Sequence, residues 1–192
     1  MSTTGTIDRA ALVRRAFIEL VASRGFHGAT MAAVAERAGV ATGTIYVHHA
    51  SKDDLVLAAY RHVKRDLGFA ATTDLDPAAS PDVRFRVIWR NVLGYLAAHP
   101  EQARFLLQVD ASPFAGAAHA AVLEDGDDAL VAQASAPDMT ALLVDLPSRL
   151  LYELAFAPAI RLAAANDVPL VPDVERRVAA ACWRAVTKPG LG

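Results

Sequence analysis

Between Ala38 and Leu55 the chain reads AGVATGTIYVHHASKDDL, gathering two threonines, a tyrosine, two histidines and a lysine around two glycines. Hydroxyls, an imidazole and an ammonium are hydrogen-bond donors to anionic oxygens, and glycine lets another surface approach the backbone. A metal reading fails on spacing. His48 and His49 are adjacent, and neither forms an i, i+4 pair with an acid between when His27 or His62 is added. The acidic run EDGDD lacks the glycine and glutamate positions of a calcium loop and reads as a solvated bend. No nucleophile elbow, phosphate-binding glycine loop or paired carboxylates occurs, so the chain is not expected to be an enzyme, and no metal or cofactor is implied.

The elements that position these residues follow from apolar periodicity. Leu12, Val13, Ala16, Phe17, Leu20 and Val21 lay one stripe along a helix from Asp8 to Arg24, with Gly25 placed to end it. Thr30 offers an N-cap to a short helix that stops at Gly39. A three-residue turn then leads to a third helix, Thr42 to His48, and Ser51 starts a fourth whose buried side is Leu55, Val56, Ala59, Tyr60, Val63 and Leu67. Two short helices joined through a glycine turn make a helix-turn-helix. Ile45 faces the core, which leaves Thr42, Gly43, Thr44, Tyr46 and His48 outward.

Charge divides along the chain. Residues 1–65 hold nine Lys/Arg against five Asp/Glu, while the whole 192-residue chain carries a net charge of −2. The N-terminal part is therefore basic and the remainder acidic, which suits an anionic partner for the first alone. No apolar run approaches the roughly 20 residues of a membrane span, and the N-terminus lacks the apolar core of a signal peptide. A cytoplasmic protein without membrane association is expected. The one cysteine, Cys182, has no disulfide partner and reads as a buried thiol.

The stretch ATMAAVAERAGVATGTIYVHHASKDDL resembles the helix-turn-helix of the TetR family of bacterial transcriptional regulators, and RGFHGAT before it fits the family's link between its first two helices. Thr30, Val34, Ala35, Ala38, Gly39, Val40, Gly43, Thr44, Ile45, Tyr46, His48, Ser51, Lys52 and Leu55 carry the match. The departures are Ala41 where serine usually caps, Ala32 and Thr42 where basic or long polar residues are common, and His49 where phenylalanine is usual.

The resemblance implies an all-α fold of about nine helices, with a DNA-binding head over residues 1–50 and an effector-binding and dimerisation bundle over 51–192. It implies that Thr42, Gly43 and Thr44 face base edges of a double-stranded operator, while Thr30, Tyr46, His48 and Lys52 hold phosphates. A homodimer is expected through Pro147–Ala165 and Pro172–Thr187, with Phe156, Ile160, Val178 and Cys182 at the interface. A small hydrophobic or aromatic effector is expected against Trp89, Leu93, Phe105 and Phe114. Arg84, Arg86 and Arg90 read as an exposed basic face. The competing reading is an all-helical interaction or ligand-binding protein whose helix-turn-helix no longer binds DNA.

Overall fold

A computed structural model describes residues 8–165 and 171–190. The N-terminal segment read for a signal peptide lies mostly outside these residues. The described chain is all-α, with eleven helices and no strand. An isolated antiparallel bridge between Leu143 and Thr187 is its nearest approach to a sheet.

The head is α1 (Arg9–Gly28), α2 (Met31–Ala38) and α3 (Thr42–His48). The Asp8 carboxylate accepts from Ala11 N at 3.1 Å and starts α1. Gly25, at φ +66°, breaks its regular course where the apolar stripe ends. The Thr30 hydroxyl accepts from Ala33 N at 3.2 Å, as its place before α2 predicts. Gly39 closes α2 in the left-handed region, with its N–H returned to Ala35 and Glu36. Val13, Phe17, Val34 and Ile45 are fully buried, so three short helices share one core.

Helix α4 (Lys52–Ala71) leaves the head and enters the bundle of α5 (Pro81–Ala98), α6 (Pro100–Asp110), α7 (Ala115–Asp125), α8 (Ala129–Ala134), α9 (Pro137–Leu142), α10 (Ser148–Ala165) and α11 (Pro172–Val186). It packs on α1, α5, α7 and α8, while α10 packs on α5, α6 and α11. Gly68 of α4 faces the start of α8, where a Cβ would come into van der Waals contact with Ala129. The two helices beyond the expected count are α8 and α9. At six residues each they are too short to show a 3.6-residue period.

Two surface assignments are corrected by packing. Arg84 does not belong to an exposed basic face: its side chain is buried and binds Gln133 and Asp138, tying α5 to the α8–α9 segment. The run EDGDD is not a free bend. Arg61 pairs with Asp125 at 2.9 Å, Lys64 with Asp128 at 3.8 Å and Arg65 with Asp127 at 3.7 Å, which clamps α4 to the α7–α8 junction. Three of the nine cations counted toward a basic N-terminal part are thus engaged inside the molecule.

Candidate functional site

Helix α3 divides as its sequence predicts. Ile45 is fully buried, Thr44 is half-buried, and Thr42, Gly43, Tyr46 and His48 are exposed. Val47 is 79% exposed, an apolar side chain presented outward beside Tyr46 at 53%. Sequence reading passed over it because a lone valine in a helix carries no polar signal. Such a group is suited to a thymine methyl. Gly43 is informative through what surrounds it: a Cβ built there meets nothing within 4 Å. No packing among the described residues therefore requires the glycine, although glycine costs a helix about 1 kcal/mol relative to alanine.

The supports of this surface are local. Ala41 precedes α3 without a side-chain cap. The Thr30 hydroxyl, which accepts from Ala33 N, keeps its own proton free to donate outward. Ser51 caps α4 by accepting from Asp54 N at 3.1 Å, while the Asp54 carboxylate accepts from Ala50 N at 3.1 Å. Lys52 is differently placed from an extended phosphate contact, since its ammonium donates to the Phe26 carbonyl and ties α4 to the end of α1. Arg37 and Arg15 both turn to Glu19, so few cations on the head are without a partner.

His49 is buried, with Nδ1 3.7 Å from Asp54 and Nε2 unpartnered. Burial holds its pKa below the ordinary 6.5 despite the opposing pull of Asp54. The neutral imidazole therefore contributes its full stability above about pH 6.5, and that stability is lost as pH falls through the lower folded value. His49→Phe is expected to remove this acid sensitivity and to add about 1 kcal/mol by eliminating an unpartnered buried nitrogen. Melting temperatures of both proteins from pH 5 to pH 8 check it; parallel curves would refute it.

Behind the head, α4 borders a half-open cavity of about 840 Å³ lined together with α5, α7 to α10 and the end of α11. Its wall is mostly apolar, with Phe85, Ile88, Leu130, Met139 and Phe156 among the lining residues; Lys64, Asp128, Tyr60, Tyr152 and His119 are its deep polar groups, and others, Asp145 and Arg149 among them, stand at the rim. The expected wall residues stand elsewhere. Trp89, Leu93 and Phe105 are buried core, Trp89 donating from Nε1 to the Ala155 carbonyl at 3.1 Å, and Phe105 meets Phe17 edge-on. Phe114 packs on Phe26 at 5.2 Å between ring centres. None of the four borders the cavity: Trp89 turns to α10, and Phe105 and Phe114 turn to α1.

The expected interface residues divide as well. Phe156, Ile160 and Cys182 are buried within their own chain and have no surface left for a partner. Only Val178 lies on the outer side. There, Val174, Val178, Ala181 and Ala185 follow one another at spacings of four, three and four along α11, beside Leu154 and Pro158 of α10. A seam of small and branched residues at heptad spacing is what a second helix pair packs into. Burial also pushes the Cys182 thiol above its ordinary pKa.

Residues 14–59 match the family described as bacterial regulatory proteins, tetR family. Over 81 residues the chain is 42% identical to the HTH-type transcriptional regulator BetI of Burkholderia ambifaria, and over 84 residues 42% identical to BetI of Burkholderia mallei. These matches cover 42–43% of this chain and 41–42% of the relatives, so the similarity spans about two fifths of their length. Along nearly the whole chain the fold follows solved structures. A TetR-family transcriptional regulator of Haemophilus influenzae superposes with TM-score 0.70 at 26% identity, covering 94% of this chain and 97% of that one. A putative tetR-family regulator of Shewanella sp. PV-4 superposes with TM-score 0.75 at 21% identity, covering 94% and 98%. The head thus matches the sequence of the tetR family over residues 14–59, and the helical order follows the fold of TetR-family structures along nearly the whole chain.

Proposed function

We propose that the protein is a sequence-specific transcriptional repressor that works in the cytoplasm, grips a palindromic operator as a homodimer and lets go when a small, largely apolar effector fills the cavity. The observation that carries the DNA-binding part is the outer face of α3, where Thr42, Gly43, Tyr46, Val47 and His48 are all exposed around the one buried anchor Ile45. Gly43 adds a place on that face where a backbone can lie close against an outside surface. The division of labour falls near residue 50. Thr42, Gly43, Thr44 and the exposed Val47 are assigned to base edges, and Thr30, Tyr46 and His48 to phosphates. Lys52 is assigned to bracing the head through the Phe26 carbonyl, and to a phosphate when that bond is exchanged on DNA.

Dimerisation is assigned to the outer faces of α10 and α11, through Leu154, Pro158, Val174, Val178, Ala181 and Ala185. One helix of seven residues makes too few contacts for a specific complex, and two related by a two-fold axis read two half-sites. The effector acts only through differential affinity for the two arrangements of the head. Helix α4 is the lever in this reading, with Lys52 at the head and Lys64 on the cavity wall.

The sparse free charge on the head favours one competitor, a helical interaction protein with a non-binding helix-turn-helix. The two readings separate in a selection of bound DNA from a random pool, followed by a salt titration. A regulator is expected to enrich a palindrome and to bind it more weakly as salt rises. Tyr46→Ala, verified as folded, is expected to bind at least tenfold more weakly. Failure to enrich any sequence, or full binding by the Tyr46→Ala protein, would sink the assignment.

A further inference from the structure

The polar groups of the cavity make a demand that few ligands meet. Lys64 and Asp128 have only 6% and 4% of their side chains exposed, and their charged atoms stand 3.8 Å apart. That gap is longer than a direct hydrogen bond. Asp128 Oδ1 is engaged in capping α8 through Leu130 N and Val131 N, while Oδ2 has no hydrogen-bond partner among the described residues. The Lys64 ammonium lies 3.9 Å over the Tyr152 ring, and the Tyr152 hydroxyl is buried and unpartnered. Of the other polar groups deep in the wall, the Tyr60 hydroxyl lies 3.4 Å from His119 Nε2, which in turn lies 3.0 Å from Asp110, whereas Ser135, Asp145 and Ser148 stand exposed at the rim, where solvent meets their polar atoms. At the exposed rim, Arg149 binds Glu153 and Lys188 binds the Ala141 carbonyl. Burial pulls the Lys64 ammonium below its ordinary pKa, with Asp128 opposing.

A group seated between Lys64 and Asp128 must accept from one and donate to the other. A carboxylate only accepts, leaving Asp128 Oδ2 unpartnered and placing a second anion beside it. An ammonium only donates and stands against Lys64. Either ion also unbalances a buried pair whose charges cancel, which is costly at low dielectric. A hydroxyl does both at one atom: Asp128 Oδ2 is closed to solvent in the unliganded chain, so the flexible Lys64 stem turns to admit an oxygen about 2.8 Å from each partner, which then bridges the pair. The apolar body then lies against Phe85, Ile88, Met139 and Phe156.

We infer that the cavity takes a neutral, largely apolar alcohol or phenol whose oxygen bridges Lys64 and Asp128. The inference rests on the effector-binding reading of this cavity and names the chemical class that reading leaves open. The test is calorimetric titration of the full chain, without DNA, with one apolar body carrying four ends: phenylhexanol, phenylhexanoate, phenylhexylammonium and the plain hydrocarbon hexylbenzene. The alcohol is expected to bind at least tenfold more tightly than either ion and than the hydrocarbon. In Asp128→Asn, which keeps the Oδ1 cap but leaves Lys64 uncompensated, the carboxylate is expected to gain at least tenfold relative to the alcohol. In Lys64→Met, with Asp128 uncompensated, the ammonium is expected to gain likewise. If one variant does not fold, the wild-type order and the other variant decide. An ion or the hydrocarbon binding as tightly as the alcohol, none of the four binding, or an order unchanged by both substitutions would overturn the inference. DNA release is measured separately: an alcohol that binds with the expected order but leaves operator affinity unchanged supports the ligand class and removes the effector role.

Discussion

A single arginine in place of Ala181 is expected to make the protein monomeric and to weaken its hold on a two-half-site operator by on the order of a thousandfold. Ala181 is exposed on α11, between Val178 and Ala185 on the seam that faces away from the chain's own core. The substitution therefore leaves the folded chain intact and acts only on what would cover that face. In a two-fold interface each change appears twice, and the flanking Arg177 and Arg184 make a further cation more repulsive still. Without the dimer, the second half-site is no longer engaged at the high effective concentration supplied by the first. Light scattering at micromolar protein, paired with titrations on single and double half-sites, measures both effects. An Ala181→Arg protein that stays dimeric refutes the seam, and a monomer with undiminished operator affinity refutes the paired half-sites.

Gly43→Ala is expected to move stability and DNA binding in opposite directions. The added methyl meets nothing in the free protein, so the helix propensity of alanine should appear as a gain of about 0.5 kcal/mol, less than a mid-helix site gives because Gly43 lies in the first turn. On DNA the same methyl stands where the backbone has to approach, and at least a tenfold loss of affinity is expected. Paired melting and binding curves test this. A variant that binds DNA as well as the parent would leave Gly43 without a role outside its own chain.

The head was legible because its signals are local. Thr30 and Ser51 are cap residues in cap positions, Gly39 takes the left-handed turn that only glycine enters without strain, and Ile45 is the one apolar side chain of α3 spaced to meet Val34. The bundle was legible as helices but not as surfaces. Helix α10 is apolar on two sides, and its sequence does not say which side meets the chain's own core; Phe156 and Ile160 turned inward while Leu150 and Leu154 turned out. On α11 the outward seam is partly alanine, and alanine gives no signal of contact until a partner surface is considered. The cavity was illegible for a different reason, since a void has no sequence of its own. Large aromatics such as Trp89 marked where space is filled, while the polar wall joined Lys64 and Asp128 from distant helices. That same pairing made the acidic run look idle and the N-terminal part look more basic than the surface it presents.

Cys182 lies just beneath the α11 seam, and it is the chain's only thiol. Reagents attack the thiolate, and burial both covers this sulfur and disfavours its ionisation. Its labelling rate in the unaltered protein is therefore a clock for transient lifting of α11 from α5 and α10. Compared with the rate for an unfolded chain, it converts to an opening free energy for that helix. Because a covering partner slows the clock further, its dependence on protein concentration reports association without any introduced probe.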